Sequence, residues 1–157
     1  DLPGMAPTTE PEIEECSPPF RAPVKVEETP EQQAACASHL DHIFATHFKP
    51  AAGQERRELF VCHGNVIRYL VAKSLGVDTK AWPLMSFAHA SFTPIRIHPD
   101  GRIQVLAAGD SGHLPANLTS FSSGERFRSE VHQRLCGLGN IPLRRTTSSS
   151  VLPACVV

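Results

Sequence analysis

Helical periodicity in this chain is sustained longest between Thr29 and about residue 48. Cys36, Ala37, Leu40, Ile43, Phe44 and Phe48 recur at three- and four-residue steps, a spacing that gathers them on one face of a helix. The start is written in Thr29-Pro30-Glu31-Gln32. Thr29 can accept from the Gln32 N–H, Gln32 can reach back, and Pro30 stands where no N–H is needed. Lys49-Pro50 ends the element. The pattern predicts a helix that packs one face on a sheet.

A polar connection over residues 51–57 leads into Leu59-Phe60-Val61-Cys62, an unbroken apolar run. Such a run predicts a strand buried on both faces, as in a parallel sheet. His63-Gly64-Asn65 comes next, and then Ile67, Leu70, Val71 and Ser74 return to helical spacing, with Gly76 just past the end as a C-cap. A helix is therefore expected from Asn65 or Val66, with His63 at a strand-to-helix turn. Ligands of open α/β sheets bind at the carboxyl ends of strands, and a helix start offers free N–H groups to an anion.

Farther on, Thr93, Ile95 and Ile97 alternate with polar residues, His98-Pro99-Asp100-Gly101 supplies turn chemistry, and Ile103, Val105 and Ala107 alternate again. This predicts a β-hairpin. The flanks carry no such order. Residues 1–29 are Pro-rich and acidic and read as an irregular, largely exposed segment. Residues 116–157 are rich in Ser, Thr, Gly and Arg and read as a flexible tail with one short helix around residues 124–135.

Composition sets limits. With 41% hydrophobic and 20% charged residues in 157, the chain fits one globular domain, and no apolar run approaches the roughly 20 residues needed to cross a bilayer. A net charge of −1 gives no electrostatic case for nucleic acid or anionic lipid. Acid leads and base trails: Asp1, Glu10, Glu12, Glu14, Glu15, Glu27 and Glu28 precede Arg126, Arg128, Arg134, Arg144 and Arg145. Asp1-Leu2-Pro3-Gly4 has neither an initiator Met nor a signal peptide, and reads as a fragment start.

The five cysteines, Cys16, Cys36, Cys62, Cys136 and Cys155, are odd in number and never paired as C-x-x-C. The expectation is no disulfide framework, no zinc site and a reducing compartment.

The run from Leu59 to Leu70, Leu-Phe-Val-Cys-His-Gly-Asn-Val-Ile-Arg-Tyr-Leu, resembles the second histidine motif of the histidine phosphatase superfamily, which includes the cofactor-dependent phosphoglycerate mutases. Trp82, Ser91-Phe92-Thr93, Pro99-Asp100-Gly101 and Gly109-Asp110-Ser111-Gly112 continue the likeness in order, in the manner of the phosphoglycerate-mutase-like serine/threonine phosphatases.

The resemblance implies an α/β fold: a partial three-layer α/β/α phosphoglycerate mutase-like domain over residues 30–115 that lacks its N-terminal strands. It implies His63 as the second catalytic histidine, Gly64 and Asn65 as phosphate-binding N–H donors, and hydrolysis of phosphoserine, phosphothreonine or another phosphomonoester through a phosphohistidine. It also implies no cofactor or metal, a phosphoprotein or small phosphoester as partner, a self-assembling parent, and an intracellular, mitochondrial place. Phosphoryl transfer needs donors and positive charge around the phosphoryl oxygens.

Two departures limit this. No Arg-His-Gly triplet occurs in the chain, so the nucleophile is missing, and Met5 stands where the general-acid glutamate is expected, with Asp1 and Glu10 the nearest carboxylates. A non-catalytic, partner-binding descendant is the competing function. His89 is a candidate pocket residue, read as a partly buried structural histidine before a phosphate ligand.

Other candidates carry less. His39, His42 and His47 do not converge on one metal, Cys62 points away from His63 into the core, and Arg68 reads as a surface or ion-pairing residue. Missing sheet neighbours predict few fully buried residues on the first helix.

Overall fold

The computed structural model describes residues 7–21, 26–115 and 117–121. Helix α1 spans Pro30–His47, and both arms of its capping box form: Thr29 Oγ1 accepts from the Gln32 N–H at 3.3 Å and Gln32 Oε1 accepts from the Thr29 N–H at 2.8 Å. Helix α2 spans Gly64–Ser74, and a 3-10 helix, Thr79–Leu84, follows it. Strands β1 (Ile95–Ile97) and β2 (Ile103–Val105) pair antiparallel with Arg96 opposite Gln104. Gly101, with φ of 85°, closes the connecting turn, where Asp100 Oδ1 accepts from the Arg102 N–H.

The core lies between the two helices and the segment before α1. Leu40 and Ile43 of α1, Val66, Tyr69 and Leu70 of α2, and Trp82 form one buried cluster. Ile13, from a 3-10 turn at Pro11–Ile13, and Phe20 pack against it. Each such aliphatic burial contributes about 1.5–3 kcal/mol. A polar clamp ties the helices together, since Asp41 Oδ1 accepts from the Tyr69 hydroxyl at 2.8 Å and also meets Lys73.

Three expectations are corrected. Residues 59–62 form no strand: Val61 is 85% exposed and Leu59 53%. A parallel strand is held by hydrogen-bonded neighbours, and among the described residues the two-stranded β1–β2 sheet does not extend to this run. Helix α1 is better covered than expected, with Cys36, Leu40 and Ile43 buried, because α2 and residues 10–20 take the place of a sheet.

In the described part of the leading segment most side chains are exposed or half-exposed, but Ser17 and Pro18 are buried and the Pro18 carbonyl accepts from Trp82 Nε1 at 3.1 Å. Cys16 and Cys36 form a disulfide, against the expectation of none. The 3-10 turn brings residue 16 back over the first turns of α1, and the 5.9 Å Cα separation lies within disulfide reach.

The β-hairpin, by contrast, forms where the alternation and turn chemistry put it. Beyond it, short bridges join Phe92 to Asp110 and Ala88 to Phe121. Most of the 116–157 segment, including the helix expected around residues 124–135, lies outside the described residues. Among the described residues, no helix is long and apolar enough to cross a membrane.

Candidate functional site

His63 is the N-cap of α2. Its backbone is extended (φ −106°, ψ 163°) and its carbonyl accepts from the Ile67 N–H at 3.0 Å, while its side chain makes no capping bond. The helix begins at Gly64, one or two residues earlier than the periodicity implied, because the N-cap carbonyl already closes the first turn. The imidazole is thus left available beside the N–H groups of Gly64 and Asn65.

That position is occupied from within the chain. Glu15 Oε2 lies 3.4 Å from His63 Nδ1, with both side chains about half exposed. Burial raises the Glu15 carboxyl above the usual range. His63, Arg68 and the backbone at Asn65 pull the other way, while Glu28 adds to the rise. A half-exposed pair of this kind contributes about 0–1 kcal/mol to stability, so its interest lies in where it puts the carboxylate.

Arg68 is one turn farther along α2. Its Nη1 donates to Asn65 Oδ1 at 3.1 Å, its guanidinium lies 6.0 Å from the Trp82 ring centroid, and its buried Nε has no hydrogen-bond partner among the described residues. It is half-buried rather than a surface residue. Burial lowers its pKa and the charge of Glu15 works against that. A guanidinium stays protonated regardless, so Arg68 brings a fixed positive charge to the start of α2, faced by Glu15. A cleft of about 630 Å³, lined by Ser17, Gln32, Asn65, Arg68 and Trp82 with Glu27 and Glu28 on its wall, opens beside it.

His63, Gly64 and Asn65 therefore share one helix start, but His89 is held elsewhere. It is exposed, its Nδ1 is 3.0 Å from Ser120 Oγ, and its N–H donates to the Ser120 carbonyl. The expected partial burial does not hold, because the next residue, Ala90, turns the chain outward with φ of 56°. Cys62 packs against the core, and burial pushes its thiol up to about 11, which leaves it protonated and a poor nucleophile near neutral pH.

His42 pairs with Glu12 and His47 with Glu58. Among the described residues no three metal-ligating side chains gather.

Glu15 is the residue that the sequence pattern missed. It stands in the acidic run before Cys16, and the only clue to its placement was a cysteine at 16 matched by a core-facing cysteine at 36.

The family model described as "Histidine phosphatase superfamily (branch 1)" matches residues 9–110. Over 73 residues, 46% of this chain, it is 42% identical to "Serine/threonine-protein phosphatase Pgam5, mitochondrial" of Caenorhabditis elegans, of which the match covers 26%. The protein of the same name from Drosophila erecta is 38% identical over 84 residues, 52% of this chain and 29% of that protein. The one from Xenopus laevis is 37% identical over 71 residues, 45% of this chain and 26% of that protein. The matched region thus spans between a quarter and a third of these relatives' lengths.

Proposed function

Since this chain belongs to the histidine phosphatase superfamily, we propose that it supplies the second-histidine half of a phosphatase domain, with His63 and the Gly64 and Asn65 N–H groups as donors to phosphoryl oxygens. The observation that carries the reading is the place of His63: an N-cap imidazole not used for capping, beside a helix start. An imidazole N–H and two backbone N–H groups at a helix N-terminus suit the charge on a transferring phosphoryl group.

In this reading the parent hydrolyses phosphoserine, phosphothreonine or another phosphomonoester through a phosphohistidine, in mitochondria, as the relatives' names indicate for them. The parent's fold in this reading is a three-layer α/β/α domain.

The chain as given would hold phosphate without turning over ester, because no Arg-His-Gly triplet is present to attack phosphorus. A second reading, a non-catalytic partner-binding module, is favoured by Met5 at the place of the general acid.

Two measurements on the purified 157-residue chain test the proposal. Calorimetry with inorganic phosphate should show binding that His63→Ala weakens about tenfold, the loss of one charge-assisted hydrogen bond. A chromogenic phosphomonoester should show no turnover. Unchanged affinity in His63→Ala contradicts the assignment of His63. Turnover that survives repurification and depends on His63 contradicts the accessory role.

A further inference from the structure

Three observations converge on the segment before α1. Glu15 sets a carboxylate 3.4 Å from the imidazole of His63, the N-cap of α2, where a phosphoryl oxygen would sit. The next residue, Cys16, is bonded to Cys36 in α1. On the other side of Glu15, a 3-10 turn packs Ile13 against the core. The carboxylate is therefore presented to the helix start by a backbone that is covalently tied one residue away.

We propose that Glu15 is a built-in occupant of the phosphate position at the start of α2, and that the Cys16–Cys36 disulfide holds it there, so that reduction opens the site. The inference rests on the reading of His63, Gly64 and Asn65 as phosphate donors.

The chemistry is that of anion competition. A carboxylate presents two acceptor oxygens and a negative charge, the same features by which a phosphate is recognised. A phosphate entering beside it meets both an imidazole already faced by a carboxylate and like-charge repulsion. Removing the Glu15 charge, or letting its segment withdraw, frees the donors.

The redox step needs a dithiol reductant. One of its thiolates attacks Cys16 or Cys36 sulfur, the S–S bond breaks, and the resulting mixed disulfide is resolved by the reductant's second thiol. The reductant leaves as its own disulfide, two electrons and two protons having passed to give the Cys16 and Cys36 thiols.

Reduction does not release the whole segment. Pro18 remains hydrogen-bonded to Trp82 Nε1, and the Arg21 N–H to the Lys80 carbonyl at 3.1 Å. The freed stretch is the one that carries Glu15, between those anchors and the 3-10 turn.

The test is phosphate affinity, measured from the Gly64 and Asn65 amide shifts of the full chain. Five forms are compared: wild type oxidised, wild type with dithiothreitol, Glu15→Gln, Glu14→Gln as an exposed neighbour control, and His63→Ala. The expected result is binding about tenfold tighter in Glu15→Gln, a tightening of several-fold on reduction of wild type, and no change in Glu14→Gln.

Reduction should add nothing further in Glu15→Gln, because the occupant is already gone. Wild-type affinity matched within twofold by Glu15→Gln, with His63→Ala weaker, overturns the inference and leaves the phosphate reading standing. Tightening in Glu15→Gln with no response to dithiothreitol overturns the disulfide's part. Absence of any phosphate-dependent shift at Gly64 and Asn65 in every form, Glu15→Gln included, overturns the phosphate reading and the inference together.

Discussion

The Tyr69 hydroxyl donates a 2.8 Å hydrogen bond to Asp41 Oδ1 and so ties α2, which carries His63 at its start, to α1. Burial first, and then the Asp41 carboxylate, push the Tyr69 hydroxyl up to about 12. A group whose folded pKa is raised holds its proton more tightly in the native state. Its contribution is therefore whole below the unfolded value of about 10 and is lost as pH climbs towards 12.

The chain should accordingly lose stability between about pH 10 and 12, and Tyr69→Phe should flatten that fall while costing about 1 kcal/mol at neutral pH. Urea melts across the alkaline range decide it. An identical slope in Tyr69→Phe would remove Tyr69 as the cause.

The Cys16–Cys36 bridge closes a loop of 20 residues, for which chain entropy gives about 3 kcal/mol. Cys16→Ser with Cys36→Ser should lower unfolding stability by about that amount, and dithiothreitol should have the same effect on wild type. Chemical denaturation of each form measures it. Equal midpoints with and without reductant would show that the bridge does not form in solution.

Helix α1 and the hairpin were legible because each is specified by neighbours in sequence. The capping box needs only Thr29 to Gln32, and the turn only His98 to Gly101. Residues 59–62 were misread for the complementary reason: four apolar residues in a row state a capacity for burial, but whether Leu59 and Val61 are covered depends on strands elsewhere. The place of His63 at a helix start was legible because helical spacing begins just after it, whereas Glu15 and the Cys16–Cys36 bridge are tertiary facts. No local period says that residue 15 returns to the start of a helix some fifty positions on.

That misreading makes its own prediction. Val61 is 85% exposed, so Val61→Lys should change stability by less than about 0.5 kcal/mol and raise the concentration at which the chain aggregates. Light scattering and a thermal melt report both. A loss above about 2 kcal/mol would place Val61 in a paired, buried strand.

Gly109 should resist substitution. Its φ of 67° lies in the left-handed region, and a Cβ there would come 2.6 Å from Phe87 Cδ1, inside contact distance. Gly109→Ala should cost about 1–3 kcal/mol through backbone strain and displacement of the Phe87 ring. Equilibrium unfolding measures the cost, and a neutral effect would mean that the ring and the turn at Phe92 and Asp110 relax freely.

The central claim is that the start of α2 with His63 is the phosphate-binding element of this chain. Titration of the ¹⁵N-labelled Glu15→Gln chain with inorganic phosphate, read amide by amide together with the His63 ring, tests it most directly. The account predicts the largest changes at Gly64, Asn65 and the His63 ring, with the amide changes suppressed in a Glu15→Gln, His63→Ala double variant. Shifts confined to the arginine-bearing residues 120–157, or a Gly64 and Asn65 response that persists unchanged without the His63 imidazole, would contradict it.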